Sequence, residues 1–217
     1  MWIDVDRFFE RHVIDEDDAL KAAMAASEAA ALPPISVTPA QGRLLQVLAR
    51  TVNARRILEI GTLGGYSTIW LARALAPGGR LITLEYERKH ADVARANIAR
   101  AGLTGAVEIR VGRAQDLLPD IHRAGGDPFD FIFIDADKPS TTAYFEWSLK
   151  LSRPGSLIFV DNVVREGGIA DASSVDEDVK GMRRFTEWLA TERRVLATAI
   201  QTVGSKSYDG FALALVR

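Results

Sequence analysis

An α/β fold built on an open, mainly parallel sheet is what this sequence predicts, and three observations carry the prediction. From Arg56 onward, short apolar runs alternate with longer helical segments, the order that builds strand–helix–strand units. The runs are continuously hydrophobic, as in Phe131-Ile132-Phe133-Ile134 and Leu157-Ile158-Phe159-Val160, which marks strands buried on both faces. The last two runs are joined by a short polar turn, Gly204 to Tyr208, in place of a helix. They read as an antiparallel pair that completes a seven-stranded sheet.

The elements follow in order. Residues 1–50 predict a helical layer over the strand ends, within one domain spanning 1–217. Two helices fill 1–32, broken near Ile14–Asp17 and ended by Pro33-Pro34. Thr38-Pro39-Ala40-Gln41 opens the next helix: a threonine cap, proline at the first helical position and a glutamine placed to close a capping box. Leu44, Leu45 and Leu48 give it an apolar face. Strands are predicted at 56–60, 80–85, 106–111, 129–134 and 156–160, then at 193–202 and 209–216. Helices are predicted at 66–75, 87–101, 114–123, 139–151 and 175–191. Pro77-Gly78-Gly79, Gly102, Gly125-Gly126 and Arg153-Pro154-Gly155 punctuate them.

Composition narrows the function. A chain of 217 residues with 47% hydrophobic content builds a proper core. A formal net charge of −2 supplies no global attraction for nucleic acid or a membrane. The lack of cysteine excludes disulfides, thiolate catalysis and zinc–sulfur sites, and fits a reducing compartment. Met1 to Asp18 mixes acids with aromatics, unlike a signal peptide. No apolar run approaches the ~18 residues of a membrane span. A cytoplasmic enzyme is the expectation.

Two regions carry chemistry. Glu59-Ile60-Gly61-Thr62-Leu63-Gly64-Gly65-Tyr66-Ser67 runs from the first strand into a helix. Its glycines permit a ligand to approach the backbone, but their spacing is not the Gly-x-Gly-x-x-Gly of nicotinamide sites. Glu59 suits a ligand bearing an amino group and a sulfonium better than a pyrophosphate. Glu85, ending the second strand, suits ribose hydroxyls. The alternative is that the glycines merely shape a tight turn.

The second region is split. Asp135-Ala136-Asp137-Lys138 and Asp161-Asn162 each follow a predicted strand, so both fall at the sheet edge where open α/β folds bind ligands. Asp135, Asp161 and Asn162 make an all-oxygen set suited to magnesium, manganese or calcium. Asp-Asn pairs also form plain turns after strands. His12, His90 and His122 form no ligand cluster, and Trp70, Trp147 and Trp188 read as core or interface residues. Trp2, Phe8 and Phe9 read as packing against the domain or a second subunit, or as lining an aromatic pocket. Arg183-Arg184 and Arg193-Arg194 read as solvated charge.

Together these segments, with the tail Tyr208-Asp209-Gly210-Phe211, resemble the class I S-adenosylmethionine-dependent methyltransferases. More narrowly they resemble the cation-dependent catechol and caffeoyl-CoA O-methyltransferase group, over roughly 33–217. The resemblance implies a Rossmann-like fold and a homodimer. It implies that Glu59, Gly61, Thr62 and Ser67 meet the cofactor's methionine part and nearby groups, that Glu85 holds its ribose, and that Ala114 and Gln115 border its adenine. Val37, Asp135 and Asp137 fall at further cofactor positions. Asp135, Asp161 and Asn162 would bind the divalent cation. Arg113 and Glu166 fall where the family pattern assigns no fixed role, and the family's acyl-CoA-lining residues find no match.

The chemistry fits those types. A phenol with pKa ~10 is a weak nucleophile at neutral pH, and a dication beside its oxygen favours the phenolate. Lys138, with an ordinary pKa of ~10.4, is lowered by a dication and raised by Asp135 and Asp137. It is the candidate base, and a stabilising cation is the alternative. Asp135 is named with it as catalytic. The expected reaction is methyl transfer to a hydroxyl of a catechol-like or phenolic small molecule. A tRNA hydroxyuridine is the alternative acceptor on the same fold. A pocket that lost its chemistry is argued against by the intact Asp135, Lys138, Asp161 and Asn162, and a nicotinamide oxidoreductase by the loop spacing.

Overall fold

The computed structural model describes residues 1–217. Seven strands form one sheet: β1 (Arg56–Ile60), β2 (Arg80–Glu85), β3 (Val107–Val111), β4 (Phe129–Ile134), β5 (Ser152–Asp161), β6 (Val195–Gly204) and β7 (Ser207–Val216). Their order is β3-β2-β1-β4-β5-β7-β6. The first five run parallel. β7 inserts antiparallel between β5 and β6, as the short polar turn requires. That turn is tighter than expected, because Gly204 already pairs with Ser207.

Eight helices surround the sheet: α1 (Trp2–His12), α2 (Asp18–Ala29), α3 (Pro39–Thr51), α4 (Tyr66–Ala72), α5 (Arg88–Arg100), α6 (Ala114–Ala124), α7 (Thr141–Lys150) and α8 (Glu177–Leu189). Asp17 starts α2 by accepting the Leu20 amide at 3.1 Å, and Thr38 starts α3 by accepting the Gln41 amide at 3.1 Å. Half of the expected capping box is therefore present. The Gln41 side chain lies close enough to Asp161 to favour its charged form. None of the eight is long and apolar enough to cross a membrane.

The continuous apolar runs are explained by two cores, one on each face. Ile132, Ile134, Ile158 and Val160 join one cluster with Phe145, Met182 and Phe185. Phe131, Phe133 and Phe159 join the other, with Leu45, Trp70 and Leu20. Successive side chains point to opposite faces, so a strand covered on both sides needs apolar residues throughout.

Two departures have local causes. β5 begins at Ser152 rather than 156, running through Pro154-Gly155. Its pairing with β4 shifts between Phe129–Ser152 and Phe131–Leu157, and that irregularity accommodates the proline. In β4 the single polar residue, Asp130, is 7% exposed. It accepts the Arg55 and Arg56 amides at 2.8 and 3.0 Å and the Arg153 guanidinium at 2.5 Å. It thus fastens the start of β1 to β4 and β5.

Between β1 and β4 the strand order reverses, which opens the crevice where such sheets bind ligands. The strand ends are sewn together there. The Asp135 amide donates to Ile60 O at 2.9 Å, and the Gly61 amide donates to Leu84 O at 2.9 Å. Gly61 has φ +97°, and a Cβ on it would lie 1.9 Å from Asp135 O.

Replacing Asp130 by asparagine is expected to cost about 1–3 kcal/mol in urea denaturation. Burial pushes the Asp130 carboxyl up, but the two amides and Arg153 outweigh it and hold the group below its ordinary 3.8. Its contribution is complete above that value and is lost as pH falls through the lower folded one. The gap between wild type and variant therefore closes in acid.

Candidate active site

A cavity of about 760 Å³ opens at this crevice, on the carboxyl ends of β1, β2, β4 and β5. The loop after β1 supplies Gly61, Thr62 and Leu63, and α4 supplies Tyr66 and Ser67. Glu85 ends β2, and Arg113, Ala114 and Gln115 follow β3. Asp135, Asp137 and Lys138 follow β4, Asn162 follows β5, and Val37 enters from the segment before α3. Of the residues that sequence assigns to cofactor, cation or catalysis, only Glu59 and Asp161 stand behind this wall rather than on it.

Glu59 is fully buried. It accepts hydroxyls from Ser67 at 2.6 Å, Thr68 at 2.5 Å and Thr83 at 2.6 Å. Burial pushes its carboxyl up to about 7, against those three hydrogen bonds, and the Asp135 charge adds to the rise. Its reach into the cavity is through Ser67. Glu85 shapes the loop directly: one oxygen accepts the Thr62 and Leu63 amides at 3.1 and 2.8 Å, the other the Glu87 amide at 2.8 Å. His90 stands 3.4 Å from Glu85.

The far end of the cavity is acidic. Lys138 Nζ lies 3.0 Å from an Asp135 oxygen and is enclosed in the three-residue turn ahead of α7. Asp161 accepts the Asn162 amide at 2.9 Å. Burial pushes the Asp161 carboxyl up to about 7, the Asp135 charge adds to this, and Lys138 and the Gln41 amide oppose it. Asn162 takes φ +57°, a left-handed conformation asparagine tolerates, and its side chain meets the cavity. Asp137 accepts the Tyr144 hydroxyl.

No three His, Cys, Asp or Glu side chains form a metal cluster. A cation here would rest on Asp135, Asp161 and the Asn162 amide, with the rest of its shell from oxygens outside the chain. The donor set fits a hard dication: two carboxylates close enough to repel, one of them desolvated, and an amide oxygen as the third donor.

Sequence reasoning missed several lining residues. Ile35, Ser36, Tyr86, His90 and Tyr144 line the cavity, and so does Tyr66, whose hydroxyl donates to Glu16 at 2.5 Å. That bond reaches across 50 positions, and no local pattern announces it. Tyr66 does follow the glycine loop directly, which was the one available signal. Arg165 and Asp178 also line the wall and pair at 3.0 Å. Trp2, Phe8 and Phe9 do not line the cavity; they stand about half exposed on α1.

A doubly wound sheet, a glycine loop after β1, an acid ending β2 and a cavity between them define a class I methyltransferase fold. The family comparison agrees: residues 10–215 match the O-methyltransferase family model, and the chain belongs to that family. The chain is 55% identical over 213 residues to the catechol O-methyltransferase of Niastella koreensis, covering 98% of this chain and 96% of that one. It is 55% identical over 214 residues to the catechol O-methyltransferase of Mycobacterium tuberculosis, covering 99% and 96%. An O-methyltransferase from Bacillus cereus, crystallised in complex with SAH, superposes with a TM-score of 0.98 at 56% identity, covering 100% and 98%.

A pH prediction follows from Glu59. Between its ordinary 4.5 and about 7, the folded protein keeps a proton the unfolded chain has released. Stability therefore falls as pH rises through that window. Thermal unfolding in chelator from pH 4.5 to 7.5 is expected to show this decline. Glu59→Gln flattens it, leaving the part due to Asp161.

Proposed function

We propose that this protein transfers the methyl group of S-adenosylmethionine to a hydroxyl of a catechol-like diphenol, with a divalent cation. One observation carries the reading. The cavity that begins at the glycine loop continues without a break to Asp135, Lys138 and Asn162, so donor and acceptor ends share one enclosure. The names of the two relatives at 55% identity support the diphenol, and the SAH in the Bacillus cereus protein supports the cofactor.

In this reading the loop at Gly61 and Thr62 receives the methionine part, with Ser67 aimed by Glu59. Glu85 takes the ribose hydroxyls, and Ala114 and Gln115 flank the adenine. Asp135 and Asp137 lie at the sulfonium end, and Val37 closes the opposite wall. Asp135, Asp161 and Asn162 hold magnesium, manganese or calcium. When bound, that ion supplies the positive charge that favours a phenolate at neutral pH.

Lys138 takes the proton from the attacking hydroxyl. Its Nζ is held 3.0 Å from Asp135, on a side chain only 8% exposed, which places the amine at the acidic edge. The acceptor oxygen then forms its bond to the methyl carbon as the carbon–sulfur bond breaks, and sulfur leaves as a neutral thioether. The enzyme's contribution to that displacement is alignment. A tRNA acceptor draws no support from the net charge of −2.

We also infer a homodimer in the cytoplasm. Trp2, Ile3, Val5, Phe8 and Phe9 of α1 and Leu196, Ile200 and Val203 of β6 are exposed large hydrophobics, and α1 packs on β6. A second copy would cover this surface.

Labelled methyl transfer to a panel of diphenols and bulk tRNA tests the reading. Diphenols are expected to be labelled with magnesium, and chelator should stop the reaction. Asp161→Ala is expected to abolish the magnesium-stimulated rate, and Lys138→Met to lower kcat by about 10²–10⁴-fold. Diphenol labelling that survives complete chelation would sink the metal role. Labelling of tRNA alone would transfer the assignment to RNA.

A further inference from the structure

The turn between β6 and β7 carries a lysine that the mechanism above does not use. Lys206 stands at the hairpin tip, yet its Nζ turns inward. It donates to the Ser36 carbonyl and lies 3.4 Å from the Pro34 carbonyl. Those carbonyls belong to the linker between α2 and α3, whose Ile35, Ser36 and Val37 form one wall of the cavity. The same cavity is lined by Asp135 and Lys138.

The tip is itself fixed. The Ser205 amide donates to Asp6 Oδ2 of α1 at 2.7 Å. Gly204 packs so closely on that carboxylate that a Cβ would lie 2.5 Å from it. The lysine is therefore presented from an anchored turn. Burial of its amine end pushes Lys206 down, while Asp135 and Asp161 push it back up, so both carboxylates lie within electrostatic reach. An ordinary surface lysine meets water at its head group; this one meets two backbone carbonyls and the field of the acidic edge.

We propose that Lys206 is a positioning residue for the acceptor: it holds the Pro34–Ser36 backbone against the carboxylate edge and so sets the wall on which the acceptor ring lies. The proposal rests on the O-methyltransferase reading above. Lys206 touches no reacting atom in it. Its cationic head also opposes a dication at Asp135 and Asp161, since like charges repel.

The test compares wild type, Lys206→Met and Lys206→Arg. Lys206→Met is expected to raise the KM for a diphenol roughly tenfold, because the wall contacts the acceptor equally in the ground and transition states. Its kcat should stay within about twofold, and any loss of affinity for S-adenosylmethionine should be smaller than that for the diphenol, since Val37 is the one proposed cofactor contact on this linker. Manganese binding, followed by calorimetry without either substrate, should tighten several-fold as a facing cation is removed. Lys206→Arg should restore the diphenol KM. An unchanged diphenol KM overturns the proposal. So does an equal loss of affinity for both substrates with a lowered Tm in both variants, which would mark a merely structural role. If wild-type protein methylates no diphenol, the function proposed above has failed, and the manganese titration decides alone. Tightening in Lys206→Met then upholds the coupling of this lysine to the acidic edge, and unchanged affinity overturns it.

Discussion

The meeting of two strand ends at Gly61 and Asp135 is the constraint on which the rest depends. The backbone after β1 passes so close to the carbonyl of Asp135 that no side chain fits between them. That contact forces a glycine with positive φ, and the glycine begins the loop that wraps the donor end of the cavity. The same contact fixes where the chain leaves β4, and so where Asp135, Asp137 and Lys138 stand. Glycine loop and acidic edge are two sides of one backbone crossing. Glu85 adds to it by accepting two loop amides, which places the loop before any ligand arrives.

Burial sets the electrostatics around that crossing. Glu59 is surrounded by three hydroxyls and lies beneath the loop, while Asp161 lies beneath the acidic edge. Both carboxyls are raised by desolvation, and the Asp135 charge adds to each. Removing that repulsion requires a proton or a cation. A dication would answer it at Asp161, and the Lys138 and Lys206 side chains lie close enough to answer part of it.

Much of this was legible in the chain. Continuous apolar runs identified β4 and β5 because each strand faces two cores, and residue types at the strand ends indicated the chemistry. What escaped depended on partners distant in sequence. Gln41 matched a capping box, but a buried carboxylate competes for its amide. Pro154-Gly155 looked like a boundary, but a register shift lets β5 pass through it. Glu59 looked like a ligand-facing acid, yet full burial puts Ser67 between it and the cavity wall. Tyr66 and Lys206 take their places from contacts 50 and 170 positions away, which no window of local sequence contains.

The placement of β7 has a consequence for how the chain is made. β6 is synthesised first, but its only neighbour in the sheet is β7. Until β7 leaves the ribosome, β6 has no template, and β5 presents an open row of amides and carbonyls to the cell. The nascent chain therefore carries a nearly finished sheet with a sticky border until β7 is made. Closing that border also brings the hairpin tip down on the linker before α3, so the wall of the cavity is completed last. Closure moves the open edge from β5 out to β6 and completes the cavity in the same event.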